Sequence, residues 1–260
     1  MVDVFDSYVD KFARFKDEKR IKDSRIFEVV EEVFDYPTLM SLYKLLNEGT
    51  VKLVYGVVAT GKEARIYWAE SPDGKDLALK IYLTKTSEFR RGRIAYMEGD
   101  PRFKKLRKNT RKIVELWCLK EFRNLYRAQE AGVRVPKPLA RAGNVLVMEF
   151  IGLPGARGKP APLLKDVKLD QPEEALEILV EYIKLLYKEA RLVHADLSEY
   201  NVMVRGEELV IIDFGSAVDT SHPRSAEFLR RDFMNISSFF TRLGVNIIDP
   251  ERLIEEIVAS

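Results

Sequence analysis

The 260-residue chain is poor in cysteine and histidine and close to electrically neutral. Cys118 is the one cysteine, which excludes an intrachain disulfide and a cysteine-rich zinc site and fits a reducing, cytoplasmic compartment. Two histidines, His194 and His222, leave little material for imidazole metal clusters. No apolar run approaches the ~20 residues of a membrane span. The opening Met1-Val2-Asp3-Val4-Phe5-Asp6 lacks the basic-then-apolar order of a secretory leader, so neither membrane insertion nor export is expected. With 43 basic and 41 acidic residues the net charge is +2, and overall charge selects no partner. What the chain has is a hydrophobic fraction of 46%, enough for a sizeable core in one large domain or two lobes.

The charge is unevenly placed. Residues 85–112 hold eleven Lys or Arg against three acids, so the remainder is net acidic. Before this segment, apolar residues recur at helical spacing from Val4 to about Leu46, and Pro37 begins a helix that Asn47-Glu48-Gly49 ends. Three β-prone runs follow, Val51 to Val58, Ala64 to Ala69 and Leu77 to Leu83, the last two joined by the turn Ser71-Pro72-Asp73-Gly74. Beyond the basic segment, the pattern predicts a helix from Ile113 to Ala131 and a strand from Val145 to Ile151. A Gly/Pro-rich linker from Gly152 to Pro162 and a helix from Pro172 to Arg191 come next. A hairpin is expected from Val202 to Ile212 around Arg205-Gly206-Glu207. The expectation is an α+β, two-lobed fold: a helical extension (1–50), a small antiparallel N-lobe (51–151, including the basic loop) and a mainly helical C-lobe (152–260).

The most specific signal is Leu192-Val193-His194-Ala195-Asp196-Leu197-Ser198-Glu199-Tyr200-Asn201, followed twelve residues later by Asp213-Phe214-Gly215. An Asp and an Asn five apart, then D-F-G, match the protein-kinase pattern H-R-D-x-x-x-x-N plus D-F-G. The chemistry accounts for the spacing. Asp196 can accept a hydroxyl proton or orient the acceptor, while Asn201 and Asp213 offer hard oxygen ligands to Mg²⁺, or Mn²⁺, on a nucleotide. His194 reads as a support of this loop and not as a base.

Lys80, in Leu77-Ala78-Leu79-Lys80-Ile81-Tyr82, sits like the lysine of V-A-I-K, where its ammonium meets the α- and β-phosphates of ATP. Its expected carboxylate partner is Glu121 on the following helix, with Glu115 as the fallback. Gly56-Val57-Val58-Ala59-Thr60-Gly61-Lys62-Glu63 nearly spells a P-loop, but Glu63 replaces the metal-binding Ser/Thr, and Ala64 to Trp68 alternates like a strand where a P-loop needs a helix. The same residues suit a loop over the triphosphate, with Gly61 allowing backbone approach and Thr60 or Lys62 contacting phosphate. Met148-Glu149-Phe150-Ile151 occupies the place where kinases pair adenine, with Glu149 and Ile151 as backbone partners and Met148 as the wall behind the base.

After Asp213 only 47 residues remain and no A-P-E sequence occurs, so a standard peptide-docking platform is not expected. Here the chain resembles the RIO atypical kinase family. Ala59-Thr60-Gly61-Lys62-Glu63-Ala64 is similar to the family's S-T-G-K-E-A loop, and Val193 to Asn201 to its H-x-D-L-S-x-Y-N loop. His222-Pro223, Phe228-Leu229-Arg230-Arg231-Asp232, Asn235 and Phe239-Phe240 resemble the tail of the first RIO subfamily, as do Val33-Phe34-Asp35 and Thr38-Leu39. The likeness covers about residues 25–245. Ala59 departs from the family's serine and Ser216 from a commonly seen glutamine. The fifty residues before Val51 leave no room for the winged helix of the second subfamily.

The resemblance implies Mg-ATP use, serine self-phosphorylation and a role in maturation of the small ribosomal subunit. It also implies an ATPase cycle through phosphorylation of the aspartate matching Asp213. The basic segment 85–112 is read either as a solvated loop or as a surface for pre-ribosomal RNA. Competing readings are a small-molecule kinase of the aminoglycoside-phosphotransferase type, a tRNA-modification ATPase, and a pseudokinase scaffold on ribosomal RNA.

Overall fold

The computed structural model describes residues 34–84, 93–97, 109–247 and 250–259. The helical lead-in expected before Phe34 and most of the basic segment lie outside them. The described residues form two compact units: the first holds 34–83 and 139–150, the second 84, 93–97, 109–138, 151–247 and 250–259.

In the first unit, helix α1 (Tyr36–Asn47) begins where the Asp35 side chain accepts from the Thr38 amide, with Pro37 in the first turn, and Gly49 follows its end at a φ of 70°. Strands β1 (Leu53–Thr60), β2 (Ala64–Glu70) and β3 (Asp76–Tyr82) are joined by β5 (Val145–Glu149) and β4 (Pro138–Ala142) into one sheet of order β1-β2-β3-β5-β4. The β2–β3 register runs unbroken from Ala64↔Tyr82 to Glu70↔Asp76, whereas β1 meets β2 with shifts around Val57.

Strand alternation divides the sheet into two faces. Leu77, Leu79 and Ile81, with Tyr67, Ala69, Val145 and Val147, form the core that also includes Leu42 and Leu45 of α1. Ala78, Lys80 and Tyr82 therefore fall on the opposite face, where Lys80 is flanked by Ile66 of β2 and Leu146 of β5 and Ala78 faces Met148. A buried polar link fastens α1 to the sheet: the Asn144 amide donates to the Tyr82 carbonyl at 2.7 Å and to the Thr38 hydroxyl at 3.0 Å.

The second unit is largely helical. It contains α2 (Ile94–Met97), α3 (Thr110–Glu130), α4 (Pro172–Lys188), α5 (Ser225–Arg242) and α6 (Pro250–Ala259). A short 3₁₀ turn, Leu164–Asp166, precedes α4, and two small strand pairs complete the unit: β6 (Leu192–Val193) with β9 (Val218–Asp219), and β7 (Val202–Arg205) with β8 (Glu208–Ile211). The α4 stripe Ala175, Leu179, Ile183 and Leu186 is buried, as are Phe228, Leu229, Phe233, Ile236 and Phe240 of α5.

α3 starts a turn earlier than its apolar periodicity predicts, because the Asn109 side chain accepts from the Lys112 amide and caps it. It packs with the second unit, although the sequence groups 110–130 with the N-lobe strands; its polar side chains bond to residues 214–219. Among the described residues no helix is long and apolar enough to cross a membrane.

Leu79, wholly buried in the middle of the central strand, carries the first prediction. Leu79→Ala is expected to lower unfolding free energy by about 2–5 kcal/mol, measured by urea titration, since the sheet between β2 and β5 cannot collapse into the void.

Candidate active site

The H-A-D run follows β6 directly, and backbone and side-chain bonds then shape it. Ala195 has a φ of 66°, a left-handed conformation that costs a non-glycine residue about 1–3 kcal/mol and persists only where its surroundings impose it. α5 imposes it. Asp232 accepts from the Ala195 amide at 2.6 Å and from the Leu197 amide at 2.8 Å. Arg231 donates to the Ala195 carbonyl and Asn235 to the Leu197 carbonyl at 3.0 Å. Backbone groups on both sides of Asp196 are thus held while the residue itself stays accessible.

Asn201 closes the loop. Its amide donates to the Asp196 carbonyl at 2.7 Å and stands 3.3 Å from the Asp196 carboxylate. Its backbone carbonyl accepts from the Ile212 amide at 2.9 Å, so the β7–β8 hairpin, with its turn through Gly206 at a φ of 62°, returns the chain to deliver Asp213 beside Asn201. Asp213, also left-handed at 66°, is exposed, whereas Phe214 is wholly buried with its ring edge-on to His194 at 4.8 Å. His194 is buried and pairs through Nε2, as donor, with the Ile212 carbonyl at 3.0 Å. It supports both motifs, and no proton-transfer role is needed to account for it.

Three sequence-predicted groups, Asp196, Asn201 and Asp213, are therefore brought together within the second unit. The electrostatics follow from that proximity. Partial burial of Asp196, then the charge of Asp213, raise its pKa above the ordinary carboxylate value, while Arg231 and the Asn201 amide pull it down. Burial lowers the Arg93 guanidinium to about 10, opposed by the charge of Asp213, and the guanidinium lies 4.4 Å from the centre of the Trp117 ring.

The remaining predicted residues are distributed between the units. Lys80 is buried on β3, 5.3 Å from the Tyr82 ring centre, on the sheet face away from α1, which Met148 shares. Thr60 ends β1, and Gly61 and Lys62 lie in the β1–β2 connection, closed by the Gly61 amide on the Ala64 carbonyl at 2.9 Å. The chain runs straight into β2 and not into a helix, which removes the P-loop alternative. Glu149 ends β5, and Ile151, buried at the start of the second unit's linker, accepts from the Ala161 amide at 2.9 Å. Glu121 lies in the second unit, buried on α3, while the fallback Glu115 is partly exposed and pairs with Arg111 at 3.2 Å.

Sequence reasoning assigns no role to Asp232, Arg231 or Asn235. The signal available for Asp232 is an acid on the apolar stripe of α5, between Phe228 and Ile236, where burial of an unsatisfied charge would be costly.

These features define a two-lobed protein-kinase-like fold. A family model described as the RIO domain matches residues 65–253. The chain is 44% identical to the RIO-type serine/threonine-protein kinase Rio1 of Haloferax volcanii over 94% of its own length and 85% of the relative's. It is 39% identical to human serine/threonine-protein kinase RIO1 over 98% of its length but 46% of that protein's. The fold is similar to a crystal structure of the Rio2 kinase-ADP/Mg²⁺-phosphoaspartate complex from Chaetomium thermophilum, with a TM-score of 0.69 and 24% identity over 85% of this chain and 65% of that one. The chain belongs to the RIO family of serine/threonine-protein kinases, within which the Rio1 proteins of archaea and eukaryotes are close relatives.

Asp232 is wholly buried, and burial pushes its pKa up to about 7, against the two backbone amides and Arg231 that favour the charged form. Between the unfolded value near 4 and about 7 the folded state binds more protons, so this group's contribution to stability falls as pH rises through that window and is level above it. Asp232→Asn removes the titration. The unfolding free energy of the variant relative to wild type is expected to shift in the variant's favour between pH 5 and pH 8, followed by denaturant titration at each pH.

Proposed function

We propose that the protein is an ATP- and Mg²⁺-dependent serine kinase that phosphorylates itself and also turns over ATP. The observation that carries this reading is the hydrogen-bonded pair Asp196 and Asn201, with Asp213 brought beside it by the bond from the Ile212 amide to the Asn201 backbone carbonyl. In this reading Asn201 and Asp213 hold the metal, Lys80 meets the α- and β-phosphates, Glu121 belongs with the nucleotide-binding residues, and Thr60, Gly61 and Lys62 cover the triphosphate. Met148, Glu149 and Ile151 receive the adenine. The donor set fits Mg²⁺: an amide oxygen and a carboxylate are hard ligands.

Asp196 orients the acceptor hydroxyl and takes its proton, and the serine oxygen then attacks the γ-phosphorus as the bond to the β-phosphate oxygen breaks. The metal neutralises phosphate charge when bound. Partial burial and the charge of Asp213 raise the pKa of Asp196, which makes it a stronger base than a free aspartate.

The ATPase component is supported by the Chaetomium Rio2 complex, which contains ADP, Mg²⁺ and a phosphoaspartate. By analogy the exposed Asp213 carboxylate attacks the γ-phosphorus, ADP leaves, and water hydrolyses the acyl phosphate to restore the carboxylate. In the cell we place this activity in the cytoplasm, in maturation of the small ribosomal subunit, with residues 85–112 contacting pre-ribosomal RNA; the charge excess of that segment supports it.

Asp196→Ala is expected to reduce both self-phosphorylation and ATP hydrolysis by at least ~100-fold in a labelled-ATP assay, and unchanged rates would remove the assignment. RNA binding is read from the slope of log affinity against log salt. Neutralising Arg90, Arg91, Lys104 and Lys105 together should flatten it by about three to four. A small-subunit RNA affinity equal to wild type at every salt concentration would remove the RNA role.

A further inference from the structure

α3 carries polar side chains whose partners are the carbonyls of the D-F-G turn. Lys120, 1% exposed, donates to the Gly215 carbonyl at 2.7 Å and to the Ala217 carbonyl at 2.6 Å. One helical turn on, Asn124, 3% exposed, donates to the Phe214 carbonyl at 3.1 Å and again to Ala217 at 2.9 Å. One turn before, Trp117 lies with its ring centre 4.7 Å from the Lys120 ammonium. It also abuts Gly215 so closely that a Cβ there would fall 2.7 Å from its indole nitrogen.

A buried ammonium is expensive, and a methionine of similar length would fill this space at far lower desolvation cost. What the ammonium supplies is directional. It bonds two carbonyls two residues apart, and with Asn124 it fixes the peptide orientations of residues 214, 215 and 217. Those carbonyls follow Asp213 immediately, and Asp213 has a left-handed backbone that needs its surroundings to impose it. A turn whose carbonyls are released relaxes toward ordinary φ values, and the direction of the Asp213 carboxylate changes with it.

We propose that Lys120 and Asn124 form a positioning pair that sets the D-F-G turn so that the Asp213 carboxylate is presented to the divalent cation. The proposal rests on the reading of Asp213 as a metal-binding residue. Neither side chain is assigned contact with nucleotide or metal; both act through the backbone of the turn, as outer partners that orient metal ligands do.

The test compares wild type, Lys120→Met, Asn124→Ala and Asp213→Asn in ATP turnover titrated with Mg²⁺ at saturating ATP, with thermal unfolding of each protein alongside. The expected result is that the Mg²⁺ concentration for half-maximal turnover rises about tenfold in Lys120→Met and severalfold in Asn124→Ala, while the KM for ATP at saturating Mg²⁺ stays within about twofold of wild type. A purely structural role would lower the active fraction, and so the maximal rate, without moving the Mg²⁺ midpoint. Midpoints within twofold of wild type in both variants overturn the proposal. If Lys120→Met does not fold, Asn124→Ala decides alone by the same criterion. Asp213→Asn separates the two levels: a wild-type Mg²⁺ midpoint in that variant overturns the metal role of Asp213 itself, whereas loss of turnover there with unmoved midpoints in the α3 variants overturns only the positioning pair.

Discussion

The two short bonds that the Asp232 carboxylate accepts from Ala195 and Leu197 are the constraint on which the geometry of the candidate site depends. A left-handed alanine reverses the chain between β6 and the following loop, and only a partner of fixed position can keep it there. Asp232 has that fixity because it projects from the buried stripe of an 18-residue helix. Once the loop is set, Asn201 falls within reach of Asp196, its carbonyl takes the Ile212 amide, and Asp213 is delivered at the end of the hairpin. Burial of the carboxylate opposes the charged form that best accepts both amides, so the site is held at a cost in stability near neutral pH.

The residues most legible in the sequence are those proposed to carry the chemistry. Asp196, Asn201 and Asp213 can be read from type and spacing because their roles admit few substitutes. The hairpin between Asn201 and Asp213 is equally plain, since alternating apolar residues flank a glycine turn. The residues that hold them are not legible. Asp232, Asn235, Lys120 and Asn124 bond to backbone amides and carbonyls, and a backbone group leaves no mark on the sequence. The same reason hides β6 and β9, which at two residues each are too short to alternate. The early start of α3 escaped periodicity because a side-chain cap at Asn109 supports a first turn that precedes the apolar stripe.

The sheet of the first unit shows how a core face and a buried amine share a strand. One set of β3 positions, Leu77, Leu79 and Ile81, supplies core, and the alternate set carries Lys80. A period of two lets the strand be apolar enough to sit in the sheet centre and still present an amine on its other face. Lys80 reads in the sequence as a charge interrupting an apolar run, a pattern that a surface strand would also give. The register with Ile66 and Leu146 is what identifies its face.

α3 is fastened to its own unit at more than one level. Besides the bonds to residues 214–217, Arg127 near its end donates to the Ala190 carbonyl at 3.0 Å, the Arg191 carbonyl at 3.1 Å and the Asp219 carboxylate at 2.9 Å. A rod pinned at two points has no pivot. Its turns cannot unwind singly, because opening the middle of the helix strands the carbonyls of the D-F-G turn and opening its end strands those beside β6. Helix, turn and strand pair are thus tied together along the length of α3, so that local opening of any one of them breaks bonds that hold the others.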